Sequence, residues 1–142
     1  MDYWNKYQKY KTKYLNLKLN QIGRAINYDI FVREPWYSLI KKGIKSVEGR
    51  LNKGLFSKIQ TGDVIVWKTK NDKDGIKTQV VKKIIYKSFK EMIEKETIEK
   101  ILPKQNFTNI EQGIQVYREW YSEADEIKYG VVGIHLEVLN DK

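Results

Sequence analysis

Cysteine is absent from the chain, and with it any disulfide or thiolate metal site. Histidine occurs once, as His135, among the apolar residues of VVGIHLEVL, so a metal would have to rely on carboxylates. No structural zinc and no cofactor is expected on that basis. No apolar run approaches the roughly 18 residues of a membrane span, and the start, MDYWNKYQKY, lacks the apolar stretch of a signal peptide. The expected setting is soluble and intracellular. With 142 residues the chain suits one domain with a single core that needs no covalent staples.

Positive charge is abundant and unevenly spread. The net charge is +9. Residues 1–24 carry six Lys/Arg against one acidic residue, residues 25–87 fourteen against six, and residues 88–142 seven against eleven. Such polarity draws polyanions to one side of a molecule and keeps them off the other. It is also what a small protein uses merely to stay in solution.

In the first segment Tyr3, Tyr7, Tyr10, Tyr14 and Leu17 recur at alternating spacings of four and three, which predicts one stripe of a helix ending near Gly23. A helix this short needs a surface to pack on. The stripe could dock on the domain, on another protein chain, or stack on bases beside its lysines. The segment also resembles a Tyr/Lys/Leu helix appended to many otherwise unrelated proteins of giant DNA viruses, which implies a viral source and host-cell or virion location. We treat 1–24 as an arm and 25–142 as the domain.

From residue 28 the pattern is α+β. YDIFVRE alternates as a strand, and Pro35 opens a short helix, PWYSLIKKG, that ends at Gly43. IKSVEGRL is extended, and TGDVIVWKTK, the turn NDKDG and IKTQVVKKIIYKS predict a β-hairpin over 63–87. Ser88 and Glu91 suit a capping box for a helix through FKEMIEKETIEKIL, closed by Pro103. A second helix, NIEQGIQVYREWY, aligns Ile110, Ile114, Tyr117 and Tyr121 on one face, and YGVVGIHLEVL forms a last strand. The expected fold is a small mixed barrel with helices packed outside it.

The segment GIKSVEGR, residues 43–50, puts three ionisable groups into an extended stretch. Strand alternation sends Ser46, Glu48 and Arg50 one way and Lys45 and Val47 the other. A bulge or turn at Gly43 or Gly49 would swing Lys45 towards the cleft of Glu48 and Arg50. There the carboxylate would favour the ammonium, whereas the guanidinium and burial would favour the neutral amine. An exposed edge strand with solvated charges is the plainer alternative.

EPWYSLIKKGIKSVEGR followed by LFSKIQTGDVIVW resembles the ASCH domain of the PUA-like superfamily. The family signature Gly-x-Lys-x-x-Glu-x-Arg is matched at Gly43, Lys45, Glu48 and Arg50. The similarity continues through SFKEMIEKE, IEQGIQVYREWYS and KYGVVGIHLE, over roughly residues 28–138, and is strongest to the branch with a helical insertion before the last strand. The resemblance implies a PUA-like barrel with a basic cleft beside the signature, and binding of RNA or a modified nucleotide. Lys45 and Arg50 would contact phosphate or a base edge. Trp36 and Tyr37 would line the cleft and stack on a base, or else pack beneath the short helix.

Small bacterial relatives hydrolyse the amide of N4-acetylcytidine with a Lys, a Thr three residues later as nucleophile, and a Glu from the following helix. The Lys matches Lys45, the Thr position holds Glu48, and the acidic position falls near Glu96. A carboxylate cannot replace the attacking hydroxyl without a different intermediate. Lys45, Glu48 and Glu96 therefore form the candidate catalytic set for a water-based, metal-independent hydrolase or ribonuclease, ranked below recognition.

Overall fold

The structure is a computed structural model that describes residues 26–139; the arm expected over 1–24 lies outside the described residues. Five strands form one sheet in the order β1 (Asn27–Phe31), β3 (Val64–Thr69), β4 (Asp72–Tyr86), β5 (Val131–Val138) and β2 (Val47–Leu51). β1 and β3 are parallel, and the other neighbours are antiparallel. The sheet curls into a half-barrel, in keeping with a PUA-like α+β fold. Among the described residues β1 and β2, first and second in the chain, are its two edges.

Curvature follows from local irregularities. The register shifts between Val80 and Lys82, and such a bulge bends a long strand and raises its twist. The hairpin is tighter than the NDKDG motif implies. Thr69 pairs directly with Asp72, so the turn is Lys70-Asn71, and Asp72 to Gly75 belong to β4.

Alternation sorts the sheet into two faces. Ile30, Ile65, Trp67, Val80, Val132, Ile134 and Leu136 fill the concave side with Tyr37 and Ile40 from helix α1 (Trp36–Lys41). Val47, Leu51, Tyr86 and Val131 turn to the helical layer. That layer comprises α3 (Phe89–Glu96), α4 (Ile98–Ile101), α5 (Ile110–Arg118) and α6 (Glu123–Tyr129); a short α2 (Leu55–Lys58) follows β2. Neither α2 nor α6 follows from the sequence pattern, because each is too short to show a helical period.

The helix expected through 89–102 is broken. Thr97 adopts φ 79, outside the helical region, and splits it into α3 and α4. Ser88 caps α3 by accepting from Glu91 N, but Glu91 Oε2 accepts from Lys87 N, not from Ser88 N. The full capping box instead starts α5, between Asn109 and Gln112. Among the described residues no helix is long and apolar enough to cross a membrane, and no group of three or more His, Cys, Asp or Glu converges.

Candidate functional site: a cleft at the barrel seam

The half-barrel leaves a seam where the end of β1 faces edge strand β2. A cleft of about 580 Å³ lies in it, lined from one side by Phe31 to Glu34, from the other by Glu48 to Arg50, and closed by Trp36, Tyr117 and the segment Glu119–Tyr121. Arg33, Lys45 and Arg50 on its wall are matched by Glu34, Glu48 and Glu119. The cleft is thus balanced in charge, a correction to the basic cleft that the family resemblance implied. Lysines that dominate residues 25–87 mostly lie elsewhere on the surface.

Lys45 sits just before β2, after a turn in which Gly43 takes φ 75, a conformation glycine adopts without penalty. The turn folds the side chain inward until only 2% of the residue is exposed. Its ammonium donates to Val47 O at 3.0 Å and to Ile101 O, and stands 3.9 Å from Glu48 Oε1. The Trp36 ring lies 5.3 Å away. Burial pushes the Lys45 pKa below its ordinary value; Glu48 opposes this, and Arg50 adds to it. Ser46 N also donates to Lys100 O, so residues 45 and 46 together satisfy carbonyls at the end of α4. The break at Thr97 is what places that end beside β2.

Glu48 and Arg50 project to the concave side, as alternation requires. Arg50 Nε lies 3.7 Å from Glu48 Oε1, and its guanidinium stacks over Phe56 at 4.8 Å. Both cations therefore approach one oxygen. The other, Glu48 Oε2, is buried with no hydrogen-bond partner among the described residues. The Tyr117 hydroxyl is in the same condition. Burial, then the charge of Glu48, raises the Tyr117 pKa well above the ordinary phenol value.

Tyr117 is held in place by packing. Phe89 stacks on its ring at 4.4 Å and on Tyr121 at 5.5 Å. Glu126 ties the surrounding helices, accepting from Phe89 N at 3.0 Å and from Arg118 Nη2 at 2.9 Å. Gly49 makes the approach possible: a Cβ there would lie 2.4 Å from Met92 Cε and 3.1 Å from Tyr117 Oη.

Two sequence candidates lie outside the cleft lining. Glu96 is buried over β5, where its Oε2 accepts from the Tyr86 hydroxyl at 2.6 Å and lies 2.7 Å from His135 Nε2. It ends α3 and points from the helical layer onto β5, on the sheet face opposite Glu48. The expected convergence of Lys45, Glu48 and Glu96 thus does not occur; only the first two meet. Tyr37 is a core residue, 4% exposed, whose hydroxyl donates to Asp72 Oδ2, and burial with that carboxylate pushes its pKa up to about 12. Trp36 lines the cleft and also packs against both cores, so the two readings of it are compatible.

Sequence reasoning missed Tyr117, Phe31, Arg33 and Trp120 as cleft residues. Tyr117 lies on the apolar stripe of α5, where nothing in the pattern separates a core tyrosine from one whose hydroxyl reaches a cleft.

An α+β half-barrel with a polar cleft at its open seam is the architecture these elements define. The ASCH domain model matches residues 30–140, and the chain belongs to the ASCH domain family. It is similar to the solved structure of hypothetical protein PH0355, with 39% identity, 80% of this chain and all of the other covered, and a TM-score of 0.73. It is also similar to protein PF0455 from Pyrococcus furiosus, with 40% identity, 82% of this chain and all of the other covered, and a TM-score of 0.67. No significant match is found among curated proteins. Both structural relatives are archaeal, and a viral source for the chain finds no support in them.

Proposed function

We propose that the seam cleft recognises one nucleotide of RNA, with the base inserted against Glu48 and Tyr117. The observation that carries this reading is the pair of buried atoms without a partner among the described residues, Glu48 Oε2 and Tyr117 Oη. A buried acceptor left unmatched costs about 1–3 kcal/mol. It is well suited to a ligand that brings an N–H donor, such as a base edge or its exocyclic amine, with the Tyr117 hydroxyl serving the neighbouring position. Trp36 offers a ring beside the inserted base, and Arg50 meets the phosphate. The association of ASCH domains with RNA supports the ligand class. Lys45 acts here as a buried brace, since its protons are directed to two carbonyls and Glu48.

Calorimetric titration with the four ribonucleoside monophosphates and N4-acetylcytidine tests the proposal. Binding is expected at low salt, with a shallow salt slope of about −0.7 for one phosphate contact, and it should weaken at least tenfold in Glu48→Gln. Absence of binding by every nucleotide, or affinity untouched by Glu48→Gln, rejects it.

A second reading is amide hydrolysis of a modified nucleoside, favoured by the depressed Lys45 amine 3.9 Å from Glu48. Glu48 would take a proton from water as the water oxygen adds to the acyl carbon, and Arg50 would stabilise the oxyanion. The C–N bond then breaks as the Glu48 carboxyl returns that proton to the N4 nitrogen, releasing acetate and cytidine. Release of cytidine from N4-acetylcytidine that vanishes in Glu48→Gln would establish it, and no turnover would reject it. The arm over 1–24 is proposed to act apart from the cleft, as a docking segment for a protein partner. Deleting it should abolish partner binding and leave nucleotide affinity unchanged.

A further inference from the structure

Two large aromatic side chains at the mouth of the cleft are too exposed to be explained by packing. Phe31 is 67% exposed and Trp120 is 58% exposed, yet both border the opening. Phe31 is the outward member of an alternation in which Ile30 and Val32 enter the core. Trp120 lies in the turn after α5, held by its amide donating to Tyr117 O at 3.0 Å. The Arg33 guanidinium covers one face of the Trp120 ring at 4.5 Å, so the indole has one face steadied by a cation and much of its remaining surface open.

Arg33 is itself exposed, and Arg50 is the cation of the opposite wall. Each side of the mouth thus offers a cation, and two open rings accompany them. Aromatics interleaved with cations are what a single-stranded polyanion with stackable bases needs, and a lone nucleotide already seated on the floor would leave both rings unused.

We infer that the ligand is a nucleotide within single-stranded RNA, and that the bases flanking the inserted one stack on Phe31 and Trp120. The inference rests on the nucleotide-recognition reading above and deepens it from a mononucleotide to a strand. Stacking tolerates any base, so the rim adds affinity without sequence preference, and discrimination stays with Glu48 and Tyr117.

The test compares three ligands by calorimetry: a ribonucleoside monophosphate, a pentaribonucleotide carrying the same base at its centre, and that pentamer with abasic sites flanking the centre. The intact pentamer should bind at least tenfold tighter than the abasic one, which keeps the phosphates and loses the stacking. Phe31→Ala and Trp120→Ala should each weaken the intact pentamer by about 5- to 100-fold and weaken the monophosphate far less. Circular dichroism checks that these exposed substitutions preserve the fold. Equal binding of intact and abasic pentamers, or variants that bind the pentamer like the wild type, overturns the inference. If monophosphate binding still depends on Glu48 in that event, the nucleotide reading stands alone; if no ligand binds, both fall.

Discussion

The Lys45 ammonium donates to the backbone carbonyl of Ile101, a partner 56 residues further along the chain. This bond joins the start of β2 to the end of α4 and holds Glu48 at the seam. Breaking a buried charge pair by removing one partner costs about 3–5 kcal/mol. Lys45→Ala should therefore lower unfolding stability by about 3 kcal/mol in urea titrations, and Lys45→Arg should not restore it, because a planar guanidinium cannot reproduce the ammonium's contacts. A loss below about 1 kcal/mol would show that Lys45 is not a brace.

Tyr117→Phe separates stability from binding. It removes a buried hydroxyl that has no partner among the described residues while keeping the ring stacked on Phe89. Neutral-pH stability should hold or rise by about 1 kcal/mol, while nucleotide affinity falls several-fold. Lower stability in this variant would mean that the hydroxyl is satisfied within the fold.

Alkaline pH should unfold the protein cooperatively. The pKa values of Tyr37, Tyr86 and Tyr117 are raised, by burial first, and for each a nearby carboxylate adds to the shift. In the unfolded chain a phenol ionises near pH 10, roughly. Above that value the unfolded state binds fewer protons than the folded one, so stability falls with rising pH. The contribution is complete below about pH 10 and is lost as pH climbs towards the folded-state values. Lys45 and Lys83 have the opposite sign in the window below their ordinary values, but they are two groups against four, since Tyr28 is raised as well. Urea midpoints between about pH 7 and 11.5 should show the decline, with a shallower alkaline slope in Tyr117→Phe. An unchanged slope would exclude Tyr117 from the effect.

Gly49→Ala should strain the site from behind. The new methyl group would meet Met92 Cε at 2.4 Å and Sδ at 2.7 Å, and Met92 is fully buried. Overpacking of this kind costs about 1–3 kcal/mol, and displacement of Tyr117 should weaken binding. Adding Met92→Ala should recover part of both losses, giving a non-additive double-mutant cycle. Strict additivity would rule out the proposed contact.

Much of the architecture was legible in residue order because local physics decides it. The alternation at Asn27–Phe31, the β3–β4 hairpin, the Ser88 cap of α3 and the apolar stripe of α5 depend on neighbours a few positions away. The family signature likewise located the strand that carries Glu48 and Arg50. Short-range signals were less informative about ends and breaks: the split at Thr97 serves the contact between Ile101 and Lys45, which no window of sequence contains.

The sequence by itself determined which residues could carry chemistry at Gly43–Arg50 and that the chain is α+β, with helices packed outside its strands. Only the tertiary structure decided which groups meet. Sheet curvature brought the edge strands β1 and β2 together, so Arg33, Phe31 and Trp120 joined Glu48 at one seam. The packing of α3 on β5 set Glu96 against Tyr86 and His135, outside the cleft. The reason is that side-chain identity and periodicity are local, whereas a site depends on distances set by how distant segments close around a core.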